Sequence, residues 1–250
     1  WVTFQAADGA SPVLEHIWIG TGTSNTLDYS QGRQGNYNAY LRFVGLTIED
    51  GVIFQNARYW ALEDCLIERY GPWTGSVENI EKTAVVIKAG DHITIKGCEI
   101  TNTGTGLAGY GRDISVIGNW IHGGKHDGIR VNGFWNSLVE GNLIHDFDDG
   151  VTDAEEPTWS RHCDLIHIFI PGPGYAGWQN HNVVFRNNVL YDAEAQGVQF
   201  NNYYATAATV RNELITFENN VFGPTHANMF NNADRCDGLI FRHNTVCKLA

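Results

Sequence analysis

Carboxylates and imidazoles gather between residues 122 and 167. The motif His126-Asp127-Gly128-Ile129 is echoed 22 residues later by Asp148-Asp149-Gly150-Val151. A long stretch then follows, "HDFDDGVTDAEEPTWSRHCDLIHIFIPGPGYAGWQNHN", with Asp153, Glu155, Glu156, Asp164, His162 and His167. Two carboxylates brought together raise one another's pKa or recruit a cation. Imidazole and guanidinium groups beside them can move a proton or neutralise an anion. On this chemistry the candidate catalytic residues are Asp127, Asp149, His167 and Arg130. Asp149, Asp153, Glu155 and Asp164 offer hard oxygen donors suited to calcium, the one cofactor these residues suggest. The competing structural reading is that Asp before Gly simply forms turns. His122 and His145 follow equivalent strands, "GNWIHGG" and "GNLIHDF", and read as a repeat feature. In "HCDLIH", strand alternation puts His162 and Asp164 on one face and Cys163 and His167 on the other, so a single metal site using all four is not expected.

The interval between the acidic motifs is explained by an internal repeat. "FVGLTI", "LEDCLI", "IKGCEI", "VIGNWI", "VEGNLI", "FRNNVL", "FENNVF" and "FRHNTV" align, and their fourth positions are Leu46, Cys65, Cys98, Asn119, Asn142, Asn188, Asn220 and Asn244. The spacings are 19, 33, 21, 23, 46, 32 and 24 residues. A period near 22 follows, with 46 read as two periods and 33 and 32 as single periods carrying insertions. This is the signature of a solenoid, in which stacked coils lie ~4.8 Å apart and identical residues form ladders. The asparagines are expected to be buried rungs that hydrogen-bond from coil to coil, with Cys65 and Cys98 as small plugs in the same slot. Asp127 and Asp149, one period apart, should then have Cα atoms ~5 Å apart. Residues 1–39, polar and turn-rich, are expected to form an N-terminal cap. Residues 40–250 are expected to form the solenoid, with a long insertion at 146–182. Whether "HCDLIHI" or "GVTD" supplies the strand within that insertion is left open by the pattern.

Composition narrows the function. The chain has 250 residues, 28 acidic against 16 basic, and a net charge of -12, which disfavours nucleic acid and anionic membranes as partners. Its apolar runs are far shorter than the roughly 20 residues that a spanning helix needs. Five cysteines without CxxC pairs argue against a zinc framework and a disulfide-stapled scaffold.

The repeated pattern "GI.V.....L..GN.IH" resembles the right-handed parallel β-helix of the pectate-lyase-like superfamily, over residues 40–250. The resemblance implies an all-β, single-stranded right-handed solenoid that handles polysaccharide along an outer polar face. It also implies a secreted protein, although the first residues lack the features of a signal peptide. "GIRVNG" (128–133), "GVTDAE" (150–155) and "GVQFNN" (197–202) would line that face, with Arg130, Asn132, Thr152, Gln199 and Asn201 pointing outward. Trp159, Tyr175, Trp178 and Tyr203, in loops or beside the wall strand, are the expected sugar-stacking rings. The leading expectation is a module that binds a neutral plant-type glycan such as xylan. It would adjoin a catalytic domain in a longer chain, since the C-terminus stops just after a repeat strand. The alternative is a lyase or epimerase acting on uronate polymers with calcium or arginine assistance. A third is an inverting polygalacturonase-like hydrolase, whose Gly-His-Gly and Arg-Ile-Lys motifs have no clear counterpart here.

Overall fold

In a computed structural model of this chain, residues 1–19, 37–69, 83–148, 150, 163–170, 179–201 and 211–247 are described. The chain winds through three sheet faces per coil, and every strand-to-strand pairing among these residues is parallel. Two strands, Thr83–Lys96 and Ile129–Glu140, run through both the first face and the second.

Each face contributes at least one inward row to the core. On the first face Ile17, Val52, Val85, Leu107, Ile129, Ile166, Val198 and Phe230 stack in register. On the second, Phe4, Phe43, Leu62, Ile95, Val116, Val139, Phe185, Phe217 and Phe241 do so. On the third, Leu14, Ile48, Ile67, Ile100, Ile121, Ile144, Leu190, Phe222 and Val246 follow the same order. These rows are apolar because a side chain facing the interior of a closed coil meets only other side chains.

The corner between the second and third faces explains the asparagines. Each coil there passes through one left-handed residue: Gly45, Asp64, Gly97, Gly118, Gly141, Asn187, Asn219 or His243. Glycine, asparagine and aspartate take this conformation at least cost. The next residue is the buried rung. Asn119 Nδ2 donates to Asn142 Oδ1, Asn142 to Asn188, Asn188 to Asn220 and Asn220 to Asn244, each at 2.9 Å. Each Oδ1 also accepts the backbone N–H of the preceding rung, starting with Cys98. Cys65 and Cys98 fill the slot below as buried free thiols, and the other three cysteines are free as well.

Two expectations are corrected. The interval from Asn142 to Asn188 is one coil, since the two residues bond directly; it is not two periods. The segment expected to cap the N-terminus already forms a coil: Val2–Gln5 pairs with Leu41–Val44, Val13–Leu14 with Thr47–Ile48, and Ile17–Ile19 with Val52–Phe54. A second ladder escaped the sequence reading. Asn180 Nδ2 donates to Asn212 Oδ1 at 2.9 Å, at the corner between the first and second faces. Its signal was present, because Asn180 and Asn212 each precede the main-ladder residues Asn188 and Asn220 by the same 8 positions.

Candidate functional site

The first face places the chemistry. Alternation along Ile129–Val131 buries the two aliphatic residues and turns Arg130 outward. Register then fixes what lies beside it: Arg130 faces His167, and His167 faces Gln199, on successive rungs. The segment "HCDLIHI" therefore supplies the strand that follows the Arg130 coil, Ile166–Phe169. The carboxylate stacked on Asp127 is Asp164, whose carbonyl accepts the Gly128 N–H at 2.8 Å. The expected Asp127–Asp149 rung pair is replaced by Asp127–Asp164, because Ile166, and not Val151, pairs with Ile129. Asp149 lies outside the described residues, as do Asp153, Glu155, Trp159, Tyr175, Trp178 and Tyr203.

Asp127 is the hub. Its carboxylate is fully buried, and Oδ2 lies 3.1 Å from Nδ1 of both His167 and His126. Its Oδ1 accepts the Asp164 N–H at 3.4 Å. Burial alone would push this carboxyl up, but the two imidazoles outweigh it and hold the group well below the usual carboxylate range. Asp164, equally buried, accepts the Gln196 N–H through Oδ1 at 3.1 Å and brings Oδ2 to 3.7 Å from His167 Nδ1. Asp164 and His167 thus converge although strand alternation separates them, because Asp164 sits just before the strand Ile166–Phe169 begins. His126 Nδ1 also lies 3.2 Å from Thr105 Oγ1.

Around this hub the outward face is polar and enclosed. Arg130 is 8% exposed, His167 2% and Gln199 5%. The Arg130 guanidinium carbon lies 4.5 Å from the Phe169 ring centroid. Asn201 follows Phe169 on the next rung.

Donor atoms of Asp127, Asp164 and His167 lie within 4.8 Å of one another, so these three can hold a metal ion. Of the residues expected to bind calcium, only Asp164 belongs to this set. The two carboxylates are also closer than the ~5–5.5 Å of retaining glycosidases and the ~6.5–9.5 Å of inverting ones. This pair therefore leaves no room for the water of an inverting hydrolase.

A second cluster is charge-balanced and structural. Buried Asp91 accepts from Arg58 Nε at 2.7 Å and Arg112 Nε at 3.2 Å, and lies 2.6 Å from His92 Nδ1. On the third face Asp146, Asp148, Asp192 and Glu194 line an open pocket with His226.

Residues 50–246 match the profile of the "Right handed beta helix region" family, and the chain belongs to that family. Among solved structures it is similar to the Dettilon tailspike protein, with 14% identity and a TM-score of 0.62, covering 98% of this chain and 55% of that one. It is similar to pectate lyase Pel9A at 13% identity and a TM-score of 0.56, covering 90% and 57%. It is similar to the periplasmic alginate epimerase AlgG at 11% identity and a TM-score of 0.56, covering 84% and 47%. The chain thus spans about half the length of these proteins, and the likeness establishes the fold, one shared with carbohydrate-active proteins. None of the proteins of curated function matches the sequence significantly. Among the described residues no helix is long and apolar enough to cross a membrane.

Proposed function

We propose that this chain acts on a uronate-containing polysaccharide outside the cell, abstracting the proton beside the sugar carboxylate as a lyase or epimerase does. The observation that carries this reading is the row Arg130, His167, Gln199 with fully buried Asp127 behind His167. With Asp127 accepting from Nδ1–H, Nε2 is the ring nitrogen through which His167 would take up a proton. Arg130, one rung away, pairs with the substrate carboxylate and stabilises the charge that develops on it when C5 loses its proton to Nε2. Burial strengthens both interactions, since little water competes. In a lyase the electron pair then expels the C4 oxygen; in an epimerase the carbon is reprotonated from the other side. The net charge of -12 makes Arg130 a local exception on an acidic protein, and such a localised cation fits one carboxylate better than a polyanion-binding track.

The test is incubation with polygalacturonate and alginate, with and without calcium. The ultraviolet absorbance of unsaturated ends reports elimination, and proton exchange from deuterated water at C5 reports epimerisation. Wild type should give one of these signals. Arg130→Ala should remove most of it, and Asp127→Asn should lower kcat by about 10³–10⁴-fold by setting the wrong imidazole tautomer. Retention on a glycan with neither signal would refute the enzymatic reading and leave a binding module.

A further inference from the structure

Beside the row of Arg130, His167 and Gln199 runs a second outward row on the same face, which includes Gln55 and Lys88 on adjacent rungs and Phe169 and Asn201 on later ones. Asn132, which follows core residue Val131, belongs to it. This residue is anomalous. Asn119, Asn142, Asn180, Asn188 and Asn220 are also buried, and each uses its side-chain N–H and its oxygen. Asn132 is fully buried, yet among the described residues neither Oδ1 nor Nδ2 has a hydrogen-bond partner.

The adjacent backbone groups are already spent on Asn180. The Gly133 and Phe134 N–H groups are taken by Asn180 Oδ1 at 2.9 and 2.8 Å, and the Val131 carbonyl accepts from Asn180 Nδ2 at 3.2 Å. The rungs of the main ladder satisfy their buried amides and Asn212 leaves only its Nδ2 open, whereas Asn132 leaves both its donor and its acceptor open at a cost in stability. Gln199 Oε1 and Gln55 Oε1 are open on the same face. Open polar atoms thus lie in both outward rows of this face, Gln199 in the row of Arg130 and His167 and Asn132 in the other.

We propose that Asn132 is a substrate-recognition residue whose amide binds two adjacent ring hydroxyls of the hexuronate that Arg130 holds by its carboxylate. The proposal rests on the uronate reading of the site. A primary amide offers one acceptor and a pair of donor hydrogens, and a vicinal diol returns both roles. Arg130 and Asn132 are two residues apart on one strand, ~7 Å between Cα atoms. On a pyranose ring the C5 carboxylate and the C2–C3 hydroxyls lie at opposite ends, so one sugar laid along the strand reaches both residues. A site built to bond a hydroxyl discriminates strongly against a ligand that lacks or blocks it, because the buried amide is then left unpaired.

The experiment uses tri- to hexasaccharides of galacturonate and of mannuronate, unmodified and O-acetylated at O2 and O3. They are titrated calorimetrically into wild type, Asn132→Leu and Asn132→Ala, with melting temperature recorded for each. Wild type should bind one unmodified series at least tenfold more tightly than its acetylated form. Asn132→Leu should bind both forms equally and weakly, with KM affected more than kcat where turnover occurs. Its melting point should rise by a few degrees, since an unsatisfied buried amide is gone. Asn132→Ala supplies the same comparison of affinities should the leucine not be accommodated. Variants that keep wild-type affinity and discrimination would overturn the proposal and assign the amide to an internal water, leaving the roles of Arg130 and His167 intact. A wild type indifferent to acetylation overturns it equally. A wild type that binds neither series overturns the uronate reading itself, and this proposal with it.

Discussion

Replacing Asn142 by alanine tests what holds the coils in register. The side chain donates to the Val116 carbonyl and to Asn188 Oδ1, and accepts from the Asn119 N–H and from Asn119 Nδ2, all at 2.9 Å. Two of the four partners have a second bond: Asn119 Nδ2 keeps the Ile95 carbonyl, and Asn188 Oδ1 keeps the Asn142 N–H. The Asn119 N–H loses the acceptor that the ladder gives it, in a site closed to water. A stranded buried donor costs about 1–3 kcal/mol, and the void left by the missing amide adds about 1 kcal/mol. The sum is about 2–4 kcal/mol, which corresponds to roughly a hundredfold loss of hydrogen-exchange protection at the Asn119 amide. Asn244 is the control. It accepts from Asn220 in the same way but is partly exposed, so water can replace it, and Asn244→Ala should cost about 1 kcal/mol or less. Exchange measured by mass spectrometry reads the effect, on peptides spanning residues 115–124 for Asn142→Ala and on peptides spanning the Asn220 amide for Asn244→Ala. A change below about tenfold for Asn142→Ala, or equal changes for the two variants, would refute the view that the ladder carries the register.

Asp91→Ala should lower stability by about 2–3 kcal/mol, read as a shifted denaturant midpoint. It leaves Arg58 and Arg112 facing each other, and the figure sits below the usual range for a fully buried pair because these guanidiniums are 28% and 33% exposed. Burial and then the neighbouring Asp146 raise the Asp192 carboxyl above its ordinary value, so its ionisation opposes folding and stability is lost as pH rises from the ordinary value through the raised one. Asp192→Asn should therefore raise the melting temperature at neutral pH and leave it unchanged near pH 3; an equal rise at both would contradict the carboxylate-crowding explanation.

The fold was legible in the sequence because its determinants are periodic. A left-handed residue followed by asparagine recurs at Gly118-Asn119, Gly141-Asn142, Asn187-Asn188 and Asn219-Asn220, and no other short-range constraint produces that recurrence. The candidate site was legible only in part. Arg130, Gln199 and Asn201 could be assigned to the outer face from alternation alone; His167 could not, because the pattern left open whether its segment supplies the strand, and it is the register that sets it between Arg130 and Gln199. The partner of Asp127 could not be assigned, because counting residues does not distinguish two coils from one coil with an insertion. The better signal was chemical: "LIHIFI" alternates large aliphatic residues with polar or aromatic ones, whereas "GVTDAE" has no second large aliphatic residue to face the core. Asn132 was visible as an outward polar residue, but its unsatisfied amide depends on where every neighbouring N–H and carbonyl is spent, and periodicity carries no such information.

The coil between Asn142 and Asn188 has a consequence for engineering. It holds 46 residues, twice the 23 of the coil before it, and yet its rungs bond at the same 2.9 Å. Loop closure grows only with the logarithm of length, at about 0.6 kcal/mol per doubling. The scaffold therefore tolerates cargo at this corner without losing alignment above or below it. A foreign segment of similar length, carrying an epitope or another enzyme's loop, could be spliced between Asp148 and Cys163 and displayed at a known height on a rigid rod.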